Sequence, residues 1–382
     1  MTATHLFELS GRTDVCTPVR LTAPELAELR ASSVLIVRDE YESIIEELCR
    51  IDNPSVVRLT GQAYATALKE YRHQCLGATP IDEHGVWMYY PWQHCIVHIP
   101  DSDVYYRLKS ARNRNLITET EQQKLANVRV GVAGLSVGSS AVSALAHTGV
   151  RHFSLADADT LAISNLNRLR GGLPSVGLAK TIIAARGVYE LDPYSTVNLY
   201  SGGLNELNLS DFTESLDVLV DEMDDIEMKV QLRLIAKKRK LPVVMATDNG
   251  DNVLIDIERF DQNPDLPIFH GLLTTQDIET IREGNLSQQE FMHYAMKVID
   301  VKHAPVRLLQ SIPLIGIELA GIPQLGTAAM LAGATIAYVI REITNDAPLK
   351  QGKHHVNLEG ILRADYQALE AKQKDILRGI MR

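Results

Sequence analysis

From Val128 onward the chain alternates short apolar runs with helix-like segments, and no other feature restricts its folding as much. VRVGVA (128–133) leads through a glycine-containing turn into SSAVSALAHTG. FSLAD, a long polar loop and AKTIIAARGVYEL follow, then DVLVDE, MKVQLRLIAKKRK and PVVMA. Strands and helices at this spacing imply βαβ units and a parallel sheet covered on both faces. Beyond them the sequence predicts an irregular stretch from about Asp261 to Gly321. A closing helix (Gln324–Glu342), a strand (His354–Leu358) and an amphipathic helix (Asp365–Arg378) complete the reading.

The first 110 residues have a different character. Residues 21–74 read as mostly helical, with Thr60 and Gly61 at the entry to a third helix. VWMYYPWQHCIVHI (Val86–Ile99), interrupted by Pro91, predicts two strands with a turn or bulge between them. The expected organisation is therefore an N-terminal α+β module (1–110), an α/β domain (111–350) and a C-terminal strand and helix (351–382). All four cysteines, Cys16, Cys49, Cys75 and Cys95, lie in the first quarter, and no pair has the C-x-x-C spacing of a zinc site. With 38 basic and 48 acidic residues the net charge is −10, which argues against broad docking on nucleic acid or anionic membrane. The longest apolar run, Thr327 to Ile340, is shorter than the roughly 20 residues a bilayer requires. The first residues lack the basic flank and apolar core of a secretory signal, so a cytoplasmic location is expected.

Four constellations carry chemistry. GLSVGS (Gly134–Ser139) follows a strand and opens a helix, where glycine lets backbone approach a phosphate and the helix N-terminus favours negative charge. Read literally it is also G-x-S-x-G, a hydrolase elbow with Ser136 as nucleophile. LADAD (Leu155–Asp159) ends the second strand in acid about 20 residues later, which places Asp157 to bond ribose hydroxyls. A hydrolase has no use for that residue. SNLNR (Ser164–Arg168) and GLAK (Gly177–Lys180) then bring Asn165, Arg168 and Lys180 toward the nucleotide. Hydride transfer needs no such cations. Attack of a carboxylate on an α-phosphate does, because charge grows on the phosphoryl oxygens and on departing pyrophosphate. Finally VLVDEMDD (Val218–Asp225) ends a strand in carboxylates. Asp224 is the expected Mg²⁺ ligand and Asp221 its support. A Rossmann-like doubly wound sheet that binds ATP is the fold these features specify together.

In this order the motifs resemble the superfamily of ubiquitin-activating enzymes and their bacterial relatives ThiF, MoeB and HesA. The resemblance runs from Ala111 to about Asp346. It adds R-N-R-N (Arg112–Asn115), E-x-x-K-L (Glu121–Leu125) and P-x-x-G (Pro323–Gly326) before an Ala-rich helix. It implies that Asp157, with Asp159 beside it, serves the ribose, that Asn165, Arg168 and Lys180 serve the phosphates, and that Asp224 holds Mg²⁺. Arg114 would reach the nucleotide of a partner subunit, which implies a homodimer. The family's glycine-rich turn falls on Ala133 to Gly138, so Gly134 and Gly138 would line the phosphate path. No zinc is implied.

From Ile96 to the end there is no cysteine to take an acyl group as thioester. Direct attack on the acyl-adenylate is therefore expected. That chemistry resembles the branch that modifies ribosomal peptides, of the microcin C and pantocin A type, whose N-terminal module grips the peptide. The expected function is ATP-dependent adenylation of a peptide or small-protein carboxylate, followed by amidation, cyclisation or dehydration. The alternative is activation of a ubiquitin-like or sulfur-carrier protein at its C-terminus. His270, His293 and His303 lie in the irregular stretch, where a proton-transfer role is conceivable and packing is the commoner fate. Arg259 and Asp256 are read as structural.

Overall fold

The computed structural model describes residues 6, 8, 9, 11–31, 35–299 and 301–380. The chain forms two compact units, Met1–Gln122 with Ala185–Ser195, and Gln123–Ala184 with Thr196–Arg382.

The first unit holds a four-stranded sheet of β1 (Val19–Arg20), β2 (Ile36–Asp39), β3 (Val86–Tyr90) and β4 (Cys95–Ile99), in the order β1-β3-β4-β2. Helices α1 (Ala23–Arg30), α2 (Tyr41–Asp52), α3 (Gly61–Leu76) and α4 (Ser102–Lys109) accompany it. The two aromatic strands about Pro91 and the three helices are where the sequence predicts them. The short strand β2 is an addition. Alternation along β3 sends Trp87 and Tyr89 into one apolar cluster and Val86, Met88 and Tyr90 into another. His98 is sandwiched between Tyr41 and Trp87, at 4.2 and 4.1 Å between ring centres, and Arg30 caps Trp87. Its ring nitrogens reach Asp39 and the His84 carbonyl, so this histidine is a packing element. Helix α5 (Glu119–Asn127) follows, opened by the reciprocal Thr118–Glu121 cap.

The second unit is built on seven strands: β5 (Arg129–Ala133), β6 (His152–Ala156), β7 (Thr196–Tyr200), β8 (Val218–Asp221), β9 (Val243–Asn249), β10 (Asn252–Glu258) and β11 (Gly352–Val356). Their order is β11-β10-β9-β8-β5-β6-β7. The five strands β5 to β9 run parallel, as expected, and the order reverses between β5 and β8. In doubly wound sheets ligands bind at such a reversal, beyond the carboxyl ends of the strands.

Strand β10, which the sequence did not predict, runs antiparallel to both its neighbours, β9 and β11. The tight turn Asn249–Asn252 returns the chain along β9, and a hairpin of that length cannot make a parallel crossover. The stretch read as irregular also contains α10 (Thr275–Glu283), α11 (Gln288–Ile299) and α12 (Val306–Ser311).

Helices α6 (Gly138–Thr148) and α13 (Gly326–Thr344) pack on each other, and α13 lies along β9 and β10. On the other face Val243 and Met245 of β9 join Val230, Leu232 and Ala236 of α9 (Ile226–Arg239) in the main apolar cluster. By alternation Val244, Ala246 and Asp248 point to the α13 side. Lys180–Leu191 (α7), Leu209–Thr213 (α8), Leu358–Leu362 (α14) and Tyr366–Ile380 (α15) complete the helices described here. Among the described residues no helix is long and apolar enough to cross a membrane.

Candidate nucleotide site

The carboxyl ends of β5, β6, β8 and β9 share one edge of the sheet, and all the expected site residues but Arg114 lie on segments that leave it. Gly134 leaves β5 with φ +86°, and a Cβ on it would lie 2.3 Å from the Glu222 carbonyl oxygen. Only glycine lets this turn lie against the chain emerging from β8. Gly138 opens α6, where a Cβ would stand 3.0 Å from Val132 Cγ1.

Asp157, at the end of β6, accepts the Leu135 N–H of the turn at 2.6 Å and the Asp159 N–H at 2.8 Å. The acid and the glycine turn are thereby one rigid piece. Lys180, buried at the start of α7, places Nζ 2.7 Å from Asp159 and 3.5 Å from Asp157. Asp159 itself is open to solvent, at 72% exposure. The cation is thus held between two acids, one buried and one exposed.

Arg168 is the second cation. Its Nε lies 3.3 Å from Ser136 Oγ, and Nη1 donates to Asn167 Oδ1 and the Ser164 carbonyl. Ser136 is thus joined to an arginine, and among the described residues no base is hydrogen-bonded to its hydroxyl, as the serine-nucleophile reading would need. Asn165 spends its side-chain oxygen on the Ala162 N–H at 3.1 Å, closing its own turn. What it could offer a phosphate is its amide nitrogen. Asn167, which sequence reasoning passed over, donates to the Gln324 carbonyl. Gly326 fits there because a Cβ would lie 2.4 Å from the Asn167 oxygen. The S-N-L-N-R and P-x-x-G motifs are two sides of one contact.

The acids after β8 separate into distinct roles. Asp221 is wholly buried, 3.1 Å from Lys229 and ion-paired with Arg233, which also lies 2.6 Å from Glu258. Burial pushes its carboxyl up, but the Lys229 and Arg233 charges prevail and hold it below the usual carboxylate range. The expectation that Asp221 supports a metal is corrected: its oxygens are committed to these cations. Asp225 caps α9, accepting from the Glu227 and Met228 N–H groups. Asp224 is exposed and makes no side-chain hydrogen bond among the described residues. One free carboxylate fits Mg²⁺, which takes most of its ligands from phosphate and water. No group of three or more His, Cys, Asp or Glu residues able to hold a metal occurs among the described residues.

Two further carboxyls were not anticipated. Glu222 accepts the Ala246 N–H at 2.7 Å, and loss of solvent pushes its carboxyl well up. Asp248, near the end of β9, has both oxygens buried and unpartnered. Burial pushes it up to about 6, with the Arg168 charge opposing. An acid at the end of the apolar run PVVMATD was the available signal.

Arg114 belongs to the first unit, where it is exposed. His270 lies 2.5 Å from Asp256, whose hydrogen bond pushes its proton affinity above the usual histidine range. His293 stacks edge-on with Tyr294, and His303 lies beside His355. Arg259 pairs with Asp261.

A model of the ThiF family matches residues 110–374. The chain belongs to the ThiF family. The chain is 34% identical over 335 residues to the uncharacterized protein MT1398 of Mycobacterium tuberculosis (strain CDC 1551 / Oshkosh), covering 87% of this chain and 46% of that protein. It is 27% identical over 158 residues to the tRNA threonylcarbamoyladenosine dehydratase of Haemophilus influenzae, covering 39% and 60%. The chain therefore spans about half the length of these relatives. Among solved structures, the E. coli MccB–ATP complex is 15% identical, with a TM-score of 0.46 and coverage of 83% and 86%. PaaA is 17% identical, with a TM-score of 0.46 and coverage of 67% and 77%.

Proposed function

We propose that this ThiF-family chain binds ATP with Mg²⁺ and adenylates a carboxylate of a peptide or small protein. The acyl-adenylate is then attacked directly in amidation, cyclisation or dehydration, within ribosomal peptide natural-product biosynthesis. The observation that carries the reading is the cluster at the β5–β8 reversal: Asp157 fixed to the glycine turn, Lys180 beside it and Arg168 against Ser136. Asp157 bonds the ribose, and Asp159 releases Lys180 to the phosphates. Arg168 and Lys180 stabilise charge as the bond to pyrophosphate breaks. Asp224 holds Mg²⁺, which when bound neutralises phosphate charge.

The first unit is the peptide clamp. Ile36 and Val37 on its edge strand are 48% and 42% exposed. The Ile36 N–H bonds the carbonyl of His94, the residue just before β4, so in this parallel pair the Val37 N–H and C=O point outward, open to an added strand. The active form is a homodimer in which Arg114 serves the partner's nucleotide.

ATP–pyrophosphate exchange stimulated by candidate peptides tests the assignment. Asp224→Ala should abolish exchange, and Arg168→Ala or Lys180→Ala should each lose roughly 10²–10³ in rate. Full exchange in Asp224→Ala overturns the metal site. Stimulation by a small protein ending in Gly-Gly, and by no peptide, would favour carrier activation instead. Val37→Pro should weaken peptide binding while leaving the melting temperature in place.

A further inference from the structure

The expected chemistry needs a proton acceptor. A nitrogen or hydroxyl that attacks an acyl-adenylate must lose its proton, and neither the glycine turn nor the two cations can take it. The histidines considered for this task are engaged elsewhere: His270 is held by Asp256, one of the residues β10 turns toward α9, away from the α13 side.

Asp248 is placed for it. Strand β9 outruns β8 here, since Glu222 already fills the next ladder position by accepting from Ala246. Two residues further along, on the same face, Asp248 turns toward the side of α6 and α13, where Ser136 and Arg168 lie. Both its oxygens are buried, and no hydrogen-bond donor among the described residues meets them. Arg168, whose charge reaches it, gives its Nε to Ser136 and its Nη1 to Ser164 and Asn167. The other acids nearby are taken. Asp157 accepts two backbone N–H groups, Asp159 faces Lys180, Asp221 faces two cations and Glu222 accepts from Ala246. A buried carboxylate without a donor is costly to a fold and rare unless a ligand completes it.

We propose that Asp248 is the general base of the second half-reaction, receiving the proton of the N–H or O–H group that attacks the acyl-adenylate. This rests on the adenylation reading above. The bond from the attacking atom to the acyl carbon forms, and the bond from that carbon to the phosphate oxygen breaks. AMP leaves with the electron pair, and the proton passes to an Asp248 oxygen. Its proton affinity, raised by burial, suits transfer near neutral pH. Before attack the same oxygens accept the donor group of the acceptor and hold it in line.

Acetyl-adenylate supplied to the full chain bypasses the unidentified acyl donor. With pyrophosphate and Mg²⁺, ATP formation reports the first half-reaction in reverse. With glycinamide as acceptor, N-acetylglycinamide and AMP report the second. In Asp248→Asn the ratio of amide formation to ATP formation should fall roughly 10²–10⁴-fold, the scale of a lost general base, and Asp248→Glu should recover part of it. An unchanged ratio, an equal fall in both reactions, or a wild-type chain that forms amide no faster than buffer overturns the proposal. Amide formation that depends on Asp248 with no ATP formation would sink the adenylation reading and leave the base standing.

Discussion

Asp221 and Asp248 stand at the carboxyl ends of neighbouring parallel strands, yet the two faces of the sheet treat them in opposite ways. On the α9 face Asp221 meets Lys229 and Arg233, and Arg233 continues to Glu258 with its guanidinium 3.9 Å over the Phe269 ring. On the α13 face Asp248 meets no donor among the described residues. A buried charge with its partners in place is scaffold, and one left open is available to a ligand. Position at the end of a strand is therefore not enough to make an acid functional.

The largest effect should come from breaking the paired side. Arg233→Ala leaves Asp221 and Glu258 buried without their shared cation and should cost about 3–5 kcal/mol, read as a lower denaturation midpoint. A loss under about 1 kcal/mol would mean that the network is not what separates the two faces.

Next is the open side, where the sign reverses. Asp248→Asn removes an unpaired carboxylate and should stabilise the chain at neutral pH by about 1–3 kcal/mol. Its folded-state proton affinity is raised, so the acid favours the fold fully below about pH 4 and loses that contribution as pH rises through about 6. The variant's gain should grow across that window and vanish below it. Destabilisation at pH 7 would show that Asp248 has a partner in solution.

The smallest effect concerns the neighbours of Asp221. Asp225→Ala removes the cap of α9 and should cost about 1 kcal/mol in thermal melts. Asp224→Ala should stay within about 0.5 kcal/mol, as expected for an exposed side chain outside any network. Equal losses in the two variants would remove the distinction between cap and free carboxylate.

Much of this was legible in the sequence. Strand–helix alternation gives the parallel sheet because each buried strand must cross over through a helix. The acid after the second strand and the S-N-L-N-R and G-x-x-K segments fall at its carboxyl edge because chain direction puts them there. The antiparallel hairpin of β10 was not legible, since its strand carries Asp256 and Glu258, which look polar until Arg233 and His270 are seen to meet them. The division of Asp221, Asp224 and Asp225 into ion pair, free carboxylate and cap also escaped, because identical side chains within five residues differ only in what folds against them.

The sequence alone determined the βαβ frame, the order of the motifs and the absence of a late cysteine, all consequences of local periodicity and composition. Which charges are spent and which are free was decided only by the tertiary structure. Burial and partner geometry depend on segments distant in the chain, and an aspartate's neighbours in space set whether it is scaffold or site.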